Sequence, residues 1–346
     1  MSQIRRQLLC WYDKIARDLP WRHTRDPYAI WVSEVMLQQT RVETVIPYYQ
    51  RFLESFPTPR ALAEADEDSV LSHWSGLGYY RRARLLHAGV QEVVARYAGA
   101  VPEDADARRA LPGVGPYTAG AIGSIAFDKE EPIVDGNVTR VLARLFRIDT
   151  PVGASVTTRR LWKEAARLVP GERPGVFNQA LMELGATVCT RTQPGCEACP
   201  LAKECEAHGH GEVDRFPIPR VRKAPSEVQL AAVIAARGSA SNRAIWLVRS
   251  QRSLFGGLWG LPMIQRDAFD ATDARAALRE VGISARLDSE PLRRVTHVLT
   301  HRRLHVELFR ASAARAKESQ TRRLFTGHDL GSVGISTLTR KLLATP

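Results

Sequence analysis

The stretch Leu111–Arg140, LPGVGPYTAGAIGSIAFDKEEPIVDGNVTR, decides how this chain is read. Its Pro112-Gly113-Val114-Gly115 turn stands between two helical segments. Glycine at Gly113 and Gly115 lets backbone N–H groups approach a phosphate at the start of the following helix. Further on comes Asp135, just ahead of the helical pattern Val138, Val141, Leu142, Leu145. A carboxylate there faces the positive end of a helix dipole, and neighbouring N–H groups are expected to keep it ionised. Either half alone is an ordinary tight loop or an ordinary N-cap. Together they point to a backbone grip beside a reactive carboxylate, and so to chemistry on DNA or RNA.

The rest of the composition agrees with an anionic partner. The chain has 346 residues, enough for two domains with real cores, and a formal net charge of +12. Arginine outweighs lysine, which favours phosphate and base-edge contacts. No apolar run is long enough to span a membrane, and the charged amphipathic start MSQIRRQLLCWYDKIARDLP is no secretory signal. A soluble, cytoplasmic (intracellular and DNA-associated) protein is expected.

Four of the five cysteines, Cys189, Cys196, Cys199 and Cys205, fall in one short loop as C-x6-C-x2-C-x5-C. In a reducing compartment such a cluster binds metal, and four thiolates suit either zinc or an iron–sulfur cluster. Cys10, amid Leu8, Leu9 and Trp11, reads as a core residue.

Residues 1–210 read as nearly all helix, with helical periodicity over 4–16, 28–43, 45–56, 67–75, 81–97, 115–127, 138–147, 155–168 and 174–187. A basic, proline-rich linker is expected over 211–227. Beyond it, 228–346 reads as a smaller α+β domain, with strands such as Val228–Ala236, Ala244–Arg249 and Arg302–Arg310 and a helix near Asp273–Val281. The polar segment Ala311–Thr321 reads as a loop.

A second carboxylate completes the chemistry. Asp26-Pro27 is a good helix start, and Glu34 on that helix shares a face with Ile30, Trp31 and Leu37. Among apolar neighbours it should resist ionisation, as a general acid must. A structural Glu paired with an Arg is the competing reading. One acid held neutral and another held charged is what glycosidic cleavage requires: the first protonates the leaving group, the second meets positive charge on the sugar.

These residues resemble a known family. The LPGVG hairpin, the later Asp and the cysteine loop are similar to the helix-hairpin-helix DNA glycosylases of the endonuclease III superfamily. WVSEVMLQQTRV (31–42), GLGYYRRAR (76–84), IVDGNV (133–138) and FNQALMELGATVC (177–189) resemble its MutY-type adenine glycosylases. The resemblance covers essentially the whole chain. It implies a [4Fe–4S] cluster on Cys189, Cys196, Cys199 and Cys205, and a monomer that removes adenine mispaired with 8-oxoguanine or guanine in double-stranded DNA. It also implies roles: Glu34 protonates adenine and assists a water, Asp135 stabilises the sugar cation, and Tyr117 and Asn137 support that site. Trp21, Arg22 and Leu37 would line the adenine pocket, while Gln38, Gln39, Thr40 and Tyr79 would wedge into the duplex near the lesion. Of Tyr79 and Tyr80, one is expected to be core. In the lyase-type members a lysine stands where this chain has Tyr117, which cannot form a Schiff base, so a monofunctional enzyme is implied.

The region from Gln229 on resembles the Nudix-like domain of the same family. In Arg275–Ile283 only Glu280 stands where several metal-binding glutamates are expected, with Ala276 and Arg279 at two of the others, so Mg²⁺ hydrolysis is not expected. A lesion-reading loop usually written Phe-Ser-His would here be Leu299-Thr300-His301, keeping a hydroxyl and the imidazole but losing the aromatic. His297, His301 and His305 would share one face of a strand, though a metal there lacks further ligands. Two other functions compete: an endonuclease III-like lyase on damaged pyrimidines, and a non-catalytic lesion-binding module. Binding to DNA should weaken steeply with salt.

Overall fold

The computed structural model describes residues 2–220, 224–238, 243–251, 254–265, 271–327 and 329–344. Part of the expected linker, 221–223, therefore lies outside the described residues. In chain order the helices are α1 (Ser2–Ile15), α2 (Pro27–Leu37), α3 (Val42–Ser55), α4 (Pro59–Glu64), α5 (Glu67–His73), α6 (Arg81–Tyr97), α7 (Ala105–Ala110), α8 (Pro116–Phe127), α9 (Gly136–Leu145), α10 (Ser155–Leu168), α11 (Pro174–Thr187), α12 (Glu206–Gly209), α13 (Ala271–Glu280) and α14 (Thr337–Leu343). The strands are β1 (Ser226–Arg237), β2 (Ala244–Arg249), β3 (Trp259–Gly260), β4 (Met263–Gln265), β5 (Ser284–Leu287), β6 (Arg293–Val298), β7 (Arg302–Arg315) and β8 (Arg322–Phe325). The fold is thus an all-α part followed by a smaller α+β part, as the sequence pattern implies.

The chain divides into two compact units, 1–64 with 85–222, and 65–84 with 223–346. The first is helical, and its core joins Leu8 of α1, Val138, Val141 and Leu142 of α9, Leu161 of α10 and Phe177, Leu181 and Leu184 of α11. Their i, i+3, i+4 spacing is the helical stripe that the sequence shows. The expected helix over 28–43 is interrupted: α2 stops at Leu37 and Gln39 takes a left-handed backbone (φ +60°) before α3. The short helices α4 and α7 escape periodicity because neither is long enough to show it. Phe216 is buried in this unit, and the Val152 N–H donates to the Ile218 carbonyl at 3.0 Å, so the early part of the expected linker is packed chain. Cys10 is exposed, not core.

The second unit is built on a mixed sheet. Its central path runs β3-β2-β1-β7-β5, with β4 against β1, β6 against β7 and β8 against β2. β1 and β7 are parallel from Ser226↔Arg302 to Ala235↔Ala311. Both faces of β1 are buried. Val228, Leu230, Ala232 and Ile234 join a core with Leu338 and Leu342 of α14, whereas Ala231, Val233 and Ala235 join one with Ala274, Ala277 and Leu278 of α13. Strand alternation with apolar residues on both faces requires that sandwiching. β7 continues through Arg315, so 311–315 of the expected loop are strand, with Ala311 and Ala314 as buried anchors. The register sets Thr296 opposite His305 and His297 opposite Leu304. His297 and His305 therefore lie on opposite faces, and the three histidines do not share one. Nor do the described residues gather any three His, Cys, Asp or Glu side chains closely enough for a single metal ion.

The segment 65–84, read from sequence as part of the helical domain, packs within the second unit. The Asp68 carboxylate accepts from Arg249 and, at 3.1 Å, from the buried Trp259 indole N–H. Tyr80, buried, donates its hydroxyl hydrogen to the Ile335 carbonyl at 3.0 Å, while Arg340 donates to Ser75 Oγ at 2.8 Å.

Candidate active site

A cavity of about 630 Å³ in the first unit brings together residues far apart in the chain. Trp21, Arg22, Glu34, Leu37, Gln38, Gln39, Thr40, Gly113, Gly115, Tyr117, Asp135 and Asn137 all line it. Tyr79, Thr300 and His301 belong to the other unit.

Glu34 comes from α2. Asp26 caps that helix, accepting from the Tyr28 N–H at 3.0 Å, and Pro27 opens it. Every residue from Tyr28 to Met36 is buried, so Glu34, 4% exposed, has little water to solvate a charge. Burial pushes its carboxyl up to about 7, and the Asp135 charge pushes the same way. A hydrogen bond donated by the Tyr117 hydroxyl and the Arg22 charge oppose that rise only in part. Burial, with Glu34 and Asp135 nearby, holds the Tyr117 phenol well above its ordinary value, so it stays a donor. Its oxygen also lies 3.3 Å from Met182 Sδ.

Asp135 caps α9, accepting from the Val138 N–H at 2.6 Å. Its titration departs from the sequence expectation. Burial pushes this carboxyl up from the ordinary value, and the Val138 and Asn137 N–H groups and Arg140 pull it down without cancelling the rise. The helix terminus is real, but desolvation outweighs it. What separates the two acids is how many donors each has: several for Asp135, one hydroxyl for Glu34.

The hairpin glycines do different jobs. Gly113 has φ +78°, and a Cβ there would come within 2.7 Å of Leu85 Cβ, so only glycine fits. Gly115 is the N-cap of α8 in extended backbone and faces open space, which leaves the first N–H groups of that helix approachable.

Arg17, Gln179, Met182 and Glu183 line the same cavity and were not singled out from the sequence. Glu183, 1% exposed, is held by Arg17 (Nε to Oε1, 2.7 Å) and Arg22 (Nη2 to Oε2, 2.6 Å). Burial pushes its carboxyl up, but the two guanidiniums outweigh that and leave it below the ordinary value. So the Glu183 carboxylate is held ionised, and Arg22 is paired with it. The available signal was two polar residues, Gln179 and Glu183, one turn apart on a largely apolar α11. Trp21 packs edge-on to Tyr49, ring centroids 5.5 Å apart.

Asn137 faces Arg140, whose Nη2 donates to Asn137 Oδ1 at 2.8 Å and to the Gly185 carbonyl at 2.6 Å. Arg140 Nε donates to the Cys189 carbonyl at 2.6 Å. The first turns of α9 are thereby tied to the cysteine loop. Cys189, Cys196, Cys199 and Cys205 line one small cavity with Arg144. Arg144, 2% exposed, donates to the carbonyls of Thr190 (2.7 Å) and Phe216 (3.0 Å) and lies 3.3 Å from Cys189 Sγ, with no carboxylate within 4.0 Å among the described residues. A buried cation facing four thiols suits an anionic metal–thiolate group there.

In the second unit Tyr79 is 48% exposed, in left-handed backbone (φ +49°), and its hydroxyl sits 2.9 Å from Thr300 Oγ1. An aromatic residue there is uncommon and stores strain. Thr300 and His301 are exposed at the β6–β7 turn.

A carboxyl near neutrality and a capped carboxylate in one cavity, with Gly113 and Gly115 on its lining, suit hydrolysis of a glycosidic bond. Residues 32–167 match the family described as HhH-GPD superfamily base excision DNA repair protein, and 232–345 match the NUDIX domain. The adenine DNA glycosylase of Rattus norvegicus is 37% identical over 399 residues, spanning 99% of this chain and 77% of the rat protein. The chain belongs to the adenine DNA glycosylase family and is a base excision repair enzyme. Among solved structures, a thermostable thymine-DNA glycosylase is similar with a TM-score of 0.54 and 31% identity, over 60% of this chain and 95% of that one. A non-covalent endonuclease III–DNA complex gives 0.51 and 25%, over 61% and 97%.

Proposed function

We propose that this enzyme hydrolyses the N-glycosidic bond of adenine paired with 8-oxoguanine or guanine in duplex DNA, and leaves the strand intact. The observation that carries the reading is Glu34, buried and poised at about 7, in the same cavity as Asp135. Protonated Glu34 gives its proton to N7 of the flipped adenine, and the C1′–N9 bond breaks with its electron pair leaving on the base. Asp135 meets the positive charge at C1′. Water then adds to C1′, returning a proton to Glu34, and the products are adenine and an abasic site. Tyr117 positions Glu34; having no amine, it forms no Schiff base with the sugar. The ionised Glu183 and its arginines offer an acceptor and donors to the edge of the base, and Gln179 adds both.

Gly113 and Gly115 approach the backbone, and Gln38, Gln39 and Thr40 fill the space of the flipped base; Tyr79, in the second unit, contacts the duplex. Thr300 and His301 meet the opposing 8-oxoguanine. Cys189, Cys196, Cys199 and Cys205 would hold a [4Fe–4S] cluster, which would brace the basic loop that carries Arg191. Base hydrolysis itself transfers no electron. We read the enzyme as a monomer acting on DNA inside the cell.

Single-turnover cleavage of a labelled duplex with one adenine opposite 8-oxoguanine, beside an A·T control, tests the reading. Abasic product revealed only by alkali, and only in the mispair, is expected. Strand breaks without alkali, or binding without product, overturn it.

A further inference from the structure

Arg108 is a fully buried arginine just ahead of the hairpin, and the proposed chemistry does not use it. It lies on α7. Its guanidinium donates to the carbonyls of Pro102 (3.1 Å) and Glu103, to the Ala119 carbonyl of α8 (3.3 Å) and to the Glu131 carboxylate. Glu131 Oε2 has no donor among the described residues, so the carboxylate is held through its pair with Arg108. A buried pair of this kind adds little stability after desolvation, but its fork of directed bonds fixes geometry. Because α7 precedes the hairpin and α8 follows it, Arg108 joins both arms of the hairpin to Glu131.

Glu131 opens the run Glu131-Pro132-Ile133-Val134-Asp135, which has little slack. The Glu131 carbonyl accepts from Asn178 Nδ2 at 2.8 Å, and the same amide donates to Ser124 Oγ of α8 at 2.8 Å. Pro132 has a locked φ, and its carbonyl lies where a Cβ on Gly120 of α8 would collide with it. Ile133 is fully buried. At Gly123, about one turn further along α8, a Cβ would collide with the side-chain ends of Glu131 and Arg108. Two glycines thus let the run lie directly on α8, with the ion pair seated over the second. A shift of Glu131 therefore reaches Asp135 four residues on.

We propose, resting on the base-excision reading above, that Arg108 and Glu131 are positioning residues for Asp135: their pair sets the height of the 131–135 run on α8, and so the place of the Asp135 carboxylate relative to the hairpin. Three variants of the full chain test this. Glu131→Asp keeps the charge and shortens the reach by one methylene, whereas Glu131→Gln keeps the reach and removes the charge. Gly123→Ala favours the helix but pushes the two side-chain ends aside. Single-turnover excision at saturating enzyme should fall about tenfold to 10²-fold for Glu131→Asp and Gly123→Ala, with duplex affinity unchanged. Glu131→Gln should stay within about threefold of wild type, even though an unpaired buried guanidinium lowers its melting temperature. A second readout needs no DNA. Burial holds the Asp135 carboxyl above its ordinary value, and a run lifted from α8 lets water in. The carboxyl-carbon NMR titration of Asp135, assigned with Asp135→Asn, should move down in Glu131→Asp and Gly123→Ala and stay in place in Glu131→Gln. Glu34, Tyr117 and Arg140, the groups coupled to Asp135, are untouched in all three. An unmoved titration in both Glu131→Asp and Gly123→Ala overturns the proposal, as does a loss of excision with Glu131→Gln as large as with Glu131→Asp. A wild-type protein that excises no adenine overturns the base-excision reading instead, and the titration still decides the positioning.

Discussion

The Glu34 cavity of the first unit and the Tyr79–Thr300 edge of the second use the same elementary device, a tyrosine hydroxyl hydrogen-bonded to a partner, under opposite solvation. Tyr117 and its partner Glu34 are withdrawn from water, and there the hydroxyl bears on a titration that burial has already moved to about 7. Tyr79 and Thr300 are exposed, and there the bond joins two side chains that water also reaches. The same bond should therefore matter far more for rate in the first place than in the second.

Asp135→Asn breaks the buried side hardest. Asparagine also caps a helix, so α9 should keep its start and the melting temperature should barely move. On the proposed mechanism this removes the charge that meets C1′, and single-turnover excision should fall on the order of 10³-fold. A fall under tenfold would remove Asp135 from the chemistry.

Glu34→Gln should separate activity from stability. Excision should drop by roughly 10²–10⁴-fold, the usual worth of a positioned acid. The folded protein should become more stable, and only at the right pH. The Glu34 carboxyl titrates at about 7 when folded against an ordinary value of 4.5, so folding takes up a proton between those limits. The destabilisation is absent below pH 4.5, grows as pH rises and is complete above 7. A gap of about 2.5 pH units at about 1.4 kcal/mol each makes it about 3 kcal/mol. Denaturant unfolding at pH 8 should show the variant more stable by that order, and at pH 4.5 equal. Equal stability at both would mean Glu34 is solvated.

Tyr117→Phe is a smaller perturbation of the same pair. The hydroxyl favours the charged form of Glu34, so its loss should raise the Glu34 value further. The alkaline limb of the rate profile should move to higher pH, with about a tenfold loss at the optimum. An unmoved limb would show that another group sets it.

How much of this was legible depended on whether the determinant was local. The α8 hairpin, the Asp26 and Asp135 caps and the buried stripe around Glu34 are written in neighbouring residues, and periodicity finds them. The Arg17–Glu183–Arg22 triad joins α1 and the turn after it to α11, and nothing in the spacing of either says they meet. The sign of the Asp135 shift was also hidden, because a cap is a local feature and desolvation is set by everything packed around it. The placing of 65–84 within the second unit turns on Asp68 meeting Arg249 and Trp259, again a tertiary fact. Asp68→Ala would leave an arginine and an indole N–H without their acceptor, at a cost of about 1–3 kcal/mol. Calorimetry should find that loss in the second unit's transition.

Thr300→Val sits at the small end. Valine keeps the shape and removes the hydroxyl that meets Tyr79 at 2.9 Å. Both partners reach water, so the bond is worth no more than about 0.5–1.5 kcal/mol and stability should stay within that range. Tyr79 is already strained at φ +49°, and loss of its partner leaves the ring free to leave the position from which it would enter the duplex. The expected result is a threefold to tenfold lower preference for A·8-oxoguanine over A·G, roughly 0.6–1.4 kcal/mol, with the excision rate from the fully bound complex unchanged. If that excision rate fell instead, the edge would be acting on the chemistry at Glu34, and the proposed separation between a buried catalytic site and an exposed reading site would have to be abandoned.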